Sequence, residues 1–278
     1  MEAEYTYGTN YCRHVGVLEK QVNVGDIKMT QNRKKFMNTC IDDLTLEEAV
    51  NHIEMCIQKR KISHVITLNV DQIVRMEWDK RFRKICDTCE LLLVDGHPLL
   101  WIAKFYGMPF KQKICGSDLV PILCELAAPK KYSVFFLGAA PGVAQLAANI
   151  MAKKYPGLII AGTYSPPLGF DKDENEIKHI NEMLYASQAD MLFVGMGVPK
   201  QDIFIHENMN IYQIPVSFSI GGTIDFIAGK QGRAPKWMRK IGFEWLYRLI
   251  KDPRRMVKRY LVDDLKIIRL IFKYRKIN

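Results

Sequence analysis

Met191-Leu-Phe-Val-Gly-Met-Gly-Val-Pro-Lys200 is the stretch whose reading decides the fold class. Met191 to Val194 is an apolar run without alternation, the pattern of a strand covered on both faces. It leads into Gly195-Met-Gly197, and Pro199 follows where a first helical turn tolerates proline. A buried strand, a glycine turn and a helix start therefore succeed one another within one short segment.

The same grammar recurs on both sides. Ser133 to Leu137 runs into Gly138-Ala-Ala-Pro-Gly142 and a helix reaching Lys154, and Val216 to Ile220 runs into Gly221-Gly222 and a short helix. Leu91 to Val94 ends at Asp95-Gly96 before a helix over Pro98 to Phe105, and Gly116-Ser-Asp118 starts another. Val65 to Val70 reads as a strand followed by one helix from Gln72 to Asp87, and Leu158 to Gly162 as a further strand. Nearer the start, Lys35 to Cys40 reads as a short strand. Thr45-Leu-Glu-Glu48 is a capping box ahead of Leu46, Ala49, Val50, Ile53, Cys56 and Ile57 at helical spacing. Strand, glycine turn and helix in repetition predict an α/β, Rossmann-like fold: a mostly parallel sheet with helices on both faces. Ligands in such folds bind beyond the carboxyl ends of the strands, where Asp95, Gly138, Gly197 and Gly222 fall.

Beyond Gly229 the pattern changes. Trp237, Phe243, Trp245, Leu246, Leu249 and Ile250 mix with arginines, and Leu265 to Phe272 is apolar between charges. This predicts short amphipathic helices with basic flanks, suited to a membrane surface or to closing over a site. The expected organisation is a variable N-terminal extension over 1–34, a catalytic core over 35–229, and a basic amphipathic helical appendage over 230–278.

Charge sharpens that division. The chain has 278 residues and a net charge of +10. Residues 233–278 hold 15 Lys and Arg against 4 Asp and Glu, a net +11; the rest holds 25 against 26, a net −1. So localised an excess marks a polyanionic partner: phosphate, nucleic acid or an acidic lipid surface. No stretch of 18 residues lacks charge, so a spanning helix is not expected, and Met1 to Lys20 has no apolar signal-peptide region. The seven cysteines are scattered. Cys86 and Cys89 form a lone CxxC, with His97 the only further ligand nearby, and read as ordinary reduced thiols.

No glycine turn matches a strong fingerprint. Gly138 to Gly142 is not GxGxxG, no acidic residue follows near position 163, and no GK[ST] is present. The short motifs are more specific as an ordered series. Thr67-Leu-Asn-Val70, Val94-Asp-Gly-His-Pro98, Gly116-Ser-Asp-Leu119, Gly197-Val-Pro-Lys-Gln201, Gly221-Gly-Thr-Ile-Asp225 and Arg233-Ala-Pro235 are followed by Gly242-Phe-Glu-Trp-Leu-Tyr-Arg248 and Asp252-Pro-Arg-Arg255. The series closely resembles the WecG/TagA/CpsF family, glycosyltransferase family 26, from roughly Lys35 to Leu261.

That resemblance implies an inverting, metal-independent glycosyltransferase with no cofactor. It would move a sugar, N-acetylmannosamine by default, from a UDP-sugar to a polyprenyl-diphosphate-linked sugar in teichoic acid or cell-surface polysaccharide synthesis. It also implies a peripheral enzyme at the anionic inner face of the cell membrane, with the appendage completing the active site. Relatives form small oligomers, which makes a homo-oligomer a hypothesis here. Nucleic acid is not an expected partner. Two other readings fit the same residues: a nucleotide-dependent oxidoreductase on the same fold, and a basic nucleic-acid-binding protein.

The candidate base is Asp95, because an inverting transfer needs a carboxylate to take the acceptor's proton; the alternative is an Asp that caps the next helix. Thr67 and Asn69, on alternate positions at a strand end, hydrogen-bond the sugar, position Asp95, or pair with backbone. Gln201 follows Pro199-Lys200 at a helix start, where free amides attract phosphate, and the resemblance implies that it contacts the donor. Asp225, after Gly221 and Gly222, suits ribose hydroxyls or a helix cap. Lys113 stands where the family usually has arginine, keeping the charge without the planar two-pronged donor. Arg248, Arg255 and Lys258 match basic appendage positions, supplying cations either to departing UDP or to lipid headgroups. His97 reads as a local structural residue.

Overall fold

Alternation along the strands decides which helices lie on which side of the sheet. In the computed structural model, which describes residues 33–258 and 264–275, eight strands are present: β1 (Arg33–Phe36), β2 (Thr39–Asp42), β3 (Ser63–Leu68), β4 (Leu91–Val94), β5 (Ser133–Gly138), β6 (Ile159–Tyr164), β7 (Met191–Gly195) and β8 (Val216–Ser219). The last six form one sheet in the order β4-β3-β8-β7-β5-β6, and every pairing in it is parallel. Successive side chains point to opposite faces. Val65, Leu91, Leu93, Phe136, Phe193 and Phe218 accordingly pack with helices Leu46–Gln58, Gly116–Lys130, Val143–Lys154 and Thr223–Ile227. Their neighbours Ile66, Leu68, Leu92 and Val94 face helices Val70–Met76, Lys80–Thr88 and His97–Phe105, while Phe135, Leu137, Leu192 and Val194 face Glu174–Ser187 and Lys200–Tyr212. Each fully buried side chain of this size contributes about 1.5–3 kcal/mol. Two covered faces explain why the strands read as unbroken apolar runs.

The helix after β3 turns to one face and the helix after β8 to the other. Since β3 and β8 are neighbours, their connections diverge and open a crevice beyond their carboxyl ends.

Several local expectations are corrected. Lys35 to Cys40 is not a strand but the middle of the β1–β2 hairpin, which turns at Met37, a residue with φ 51°. This hairpin guards the edge strand β4: Asp42 accepts from the Leu92 N–H at 2.7 Å. The single helix expected from Gln72 to Asp87 is two, Val70–Met76 and Lys80–Thr88, because Asp79 accepts from the Phe82 N–H at 2.9 Å and caps a fresh start. β3 stops at Leu68 rather than Val70, and β6 runs from Ile159 to Tyr164 rather than from Leu158 to Gly162. Pro199 is the N-cap of helix Lys200–Tyr212, after a cis peptide bond.

The C-terminal part is helical: Lys236–Lys240, Glu244–Lys251, Pro253–Lys258 and Lys266–Tyr274. Its final helix is docked on the core. Ile267 and Leu270 join the apolar cluster around Val70–Met76, the Tyr106 hydroxyl donates to the Ile271 carbonyl at 2.8 Å, and Lys273 and Tyr274 both reach Glu77. Ile268 and Phe272 face outward. No described helix is long and apolar enough to cross a membrane. The extension expected over 1–34 lies outside the described residues apart from Arg33 and Lys34.

Candidate active site

A cavity of about 900 Å³ occupies the crevice beyond β3, β4, β7 and β8. Strand-end turns form its floor, and helices Glu244–Lys251 and Pro253–Lys258 contribute Glu244, Tyr247, Arg248 and Met256 to its wall. The two halves are fastened by charge. Arg233 donates to Asp118 at 2.5 Å and to the Ser117 carbonyl at 3.2 Å, and Arg239 lies 3.9 Å from Asp118. Close packing fastens them again at Gly242, with φ +87°, where an added Cβ would lie 2.6 Å from Trp101 and 2.9 Å from His97. His97, with its ring 6.3 Å from Trp101, thus has the structural part expected of it.

Asp95 lines this cavity. Its backbone is fixed by register: Val94 pairs with Leu68, the Asp95 N–H donates to the Leu68 carbonyl at 2.6 Å, and the Val94 carbonyl accepts from the Ile114 N–H at 2.7 Å. The capping alternative is not realised. Helix His97–Phe105 has Gly96 as its N-cap and no side-chain cap bond. Among the described residues no hydrogen bond or ion pair is formed by the Asp95 carboxylate. Burial pushes its pKa up to about 6; Lys113 and Arg248 pull it down, while Glu244 and Asp118 push it further up. A carboxylate with that proton affinity and no protein partner is poised to accept a proton near neutral pH.

Lys113 is mostly buried and lies 3.7 Å from Asp118. Burial works against its charge, yet Cys115, Asp95, Asp118 and Glu244 hold its pKa above the usual lysine value. Arg248 donates to Glu244 at 2.7 Å and lies over the Phe226 ring at 4.8 Å. The Cys115 thiol, whose pKa is pushed well up by burial, donates to Asp118 at 2.9 Å.

Thr67 and Asn69 both line the cavity, but each already has structural partners. Thr67 donates to the Ser219 carbonyl at 3.2 Å, tying β3 to β8. Asn69 and Gln72 form a capping box at the start of helix Val70–Met76. Neither bonds Asp95, and the shared strand face is corrected too, since Asn69 lies past the end of β3. Gln201 is 1 % exposed and its side-chain carbonyl accepts from the Gly221 N–H at 3.2 Å, so it props the β8 turn while lining the cavity. Gly221 and Gly222 form that turn, and Asp225 lies in the first turn of helix Thr223–Ile227 facing the same space. Arg255 and Lys258 belong to helix Pro253–Lys258, but their side chains lie outside the described residues.

Sequence reasoning passed over Glu244, Asp118 and Arg233 as single residues, although each sits inside a quoted motif. Glu244 and Arg248 stand at helical i,i+4 spacing, a signal present all along. Asp118 and Arg233 are joined across more than a hundred residues, and no local pattern announces that.

One set of metal-ligating atoms converges among the described residues: His52, Cys56 and Glu90. It lies at the amino end of β4, away from the cavity, and Glu90 is already engaged by His52 at 2.7 Å and Lys61 at 2.7 Å. Cys86 and Cys89 are free, buried thiols with pKa values raised by burial.

The family model described as the glycosyl transferase WecG/TagA/CpsF family matches residues 34–278. Similar proteins include an N-acetylglucosaminyldiphosphoundecaprenol N-acetyl-beta-D-mannosaminyltransferase of Bacillus spizizenii, 30% identical over 84% of this chain and 88% of that protein. Proteins of the same description from Bacillus subtilis and Staphylococcus aureus are 29% and 25% identical, over 76% and 77% of this chain and 80% and 83% of theirs.

Proposed function

The chain belongs to the glycosyl transferase WecG/TagA/CpsF family, and from that premise we propose that it transfers N-acetylmannosamine from a UDP-sugar to N-acetylglucosamine on a polyprenyl diphosphate, with inversion and without a metal. Membership selects a transferase of polyprenyl-linked synthesis over the oxidoreductase and nucleic-acid-binding readings. The names of the Bacillus and Staphylococcus relatives supply the sugar and the acceptor. The observation that carries the chemistry is the Asp95 carboxylate in the cavity floor, without a hydrogen-bond or ion-pair partner among the described residues and with a pKa raised to about 6.

In this reading the donor diphosphate lies between the β7 and β8 turns and Arg248. The acceptor hydroxyl approaches the anomeric carbon from the Asp95 side. Its proton passes to Asp95 as the new C–O bond forms, and the bond to the diphosphate breaks with its electron pair leaving on UDP. Arg248 and Lys113 stabilise the charge that develops. Asp225 suits the ribose hydroxyls, and Gln201 acts through the turn it holds. By resemblance, Arg255 and Lys258 supply further cations, either to departing UDP or to lipid headgroups. The anionic headgroups around a lipid-linked acceptor attract the +11 segment, which keeps the enzyme on the inner leaflet.

The test is a panel of UDP-sugars against a synthetic polyprenyl-diphosphate N-acetylglucosamine, in chelator-treated buffer, with linkage determined. Transfer of N-acetylmannosamine with inverted configuration is expected. Transfer that requires an added divalent ion, or retains configuration, overturns the proposal.

A further inference from the structure

Arg248 lines the cavity as a cation suited to an anionic leaving group, yet it is engaged by Glu244 at 2.7 Å. Glu244 itself faces the cavity, its side chain only 16% exposed, and Arg248 is braced on its other side by the Phe226 ring. An acid beside the leaving-group site looks adverse, because it repels the very anion the site must receive. It also competes for the guanidinium that would bind that anion.

We propose that Glu244 is a positioning residue that holds Arg248 in the cavity wall, yields it to the diphosphate during transfer, and takes it back to expel the nucleoside diphosphate product. The inference rests on the proposed diphosphate-leaving reaction and goes beyond it by assigning product release to a residue. The physical reason is differential binding. A grip on diphosphate that is equally strong before and after transfer slows turnover by retaining product. A built-in competitor weakens the resting grip and leaves the cation pre-oriented, so little rotamer freedom is lost when the anion arrives.

The same carboxylate reaches Asp95. The charged groups facing Asp95 are Lys113 and Asp118 from the segment around Cys115, and Glu244 and Arg248 from helix Glu244–Lys251. The Cys115 thiol is kept neutral by its burial, and His97, next along Asp95's own segment, has a pKa lowered by burial. Removing the Glu244 charge takes away a repulsive neighbour of Asp95 and the acid that offsets the attraction of Arg248. Both changes favour ionised Asp95, so the acidic limb of the rate profile moves to lower pH.

Glu244→Gln, with its shape retained, is compared with wild type in three measurements. Calorimetric affinity for inorganic diphosphate is expected to rise about 2- to 5-fold, the range of one partly exposed ion pair. kcat is expected to fall while inhibition by product tightens, and the acidic limb to move down. Glu244→Asp, which keeps the charge, is expected to restore kcat and the limb in part. In an Arg248→Gln background the Glu244→Gln change should leave diphosphate affinity unaltered. Diphosphate affinity that is unchanged or weaker in folded Glu244→Gln, or a limb that stays in place, overturns the inference. Because the probe is inorganic diphosphate, that result is separate from the nucleotide question: failure of UDP to bind in preference to ADP counts against the proposed donor instead.

Discussion

Glu90 and Asp95 stand at the two ends of one four-residue strand, β4, and have opposite electrostatic fates. At the amino end, Glu90 is clasped by His52 and Lys61, both at 2.7 Å, and its pKa is driven down to about 2, chiefly by the His52 hydrogen bond against the cost of burial. At the carboxyl end, burial dominates and Asp95 rises to about 6. Two acids a few residues apart differ because one is given partners and the other is given a cavity. Pairing stabilises a fold, whereas an unpaired carboxylate in a crevice is a liability to stability that chemistry can use.

The widest separation between the two should come from Asp95→Asn and Glu90→Gln assayed side by side. Asp95→Asn is expected to lower the transfer rate by about 10²–10⁴ without unfolding, and Glu90→Gln to leave the rate near wild type. Equal losses of activity would erase the contrast. Stability should run the other way. In urea melts at pH 7, Glu90→Gln is expected to cost about 1–3 kcal/mol, since it removes the negative charge facing His52 and Lys61 and one of the two accepting oxygens. Asp95→Asn is expected to add about 1 kcal/mol, after discounting for the solvent in the cavity.

The pH dependence of stability follows with its sign. Glu90 contributes stability above its unfolded pKa near 4.5, lost as pH falls towards about 2. His52, raised to about 9 first by Cys56 and then by Glu90, contributes stability fully present below 6.5 and lost as pH rises through 9. Melting temperatures of wild type should therefore be highest between about pH 4.5 and 6.5, and Glu90→Gln should remove the acidic fall and shrink the alkaline one. Asp95 acts oppositely, relieving strain on the fold as pH falls from about 6. The smallest effect is expected from Lys113→Met. Loss of that neighbouring cation should move the acidic limb of the rate profile upward by about one pH unit, and Lys113→Arg should leave it in place.

Much of this was legible because parallel strands announce themselves. An apolar run closed by a glycine or Asp-Gly turn identifies a strand's carboxyl end, so Asp95, Gly138, Gly197 and Gly222 could be assigned to one rim before their neighbours were known; Gly138, at the end of β5, does not line the cavity. What failed was local. Asp79 reads as one more charge on a helix until its carboxylate is seen capping Phe82. For Thr67 and Asn69 the alternatives left open by the sequence meet in the structure: both line the cavity, while Thr67 bonds the Ser219 backbone and Asn69 caps with Gln72. The fastening of Asp118 by Arg233 depends on how far the appendage folds back, which no periodicity encodes.

The docked helix Lys266–Tyr274 ties the C-terminal part of the chain to an element of the cavity rim. It bears on helix Val70–Met76, whose first turn opens at Asn69 on the cavity rim, and its side chains Ile268 and Phe272 face outward. Lys273 and Tyr274 hold Glu77 at the far end of helix Val70–Met76, so one short element has the appendage at one end and the cavity rim at the other.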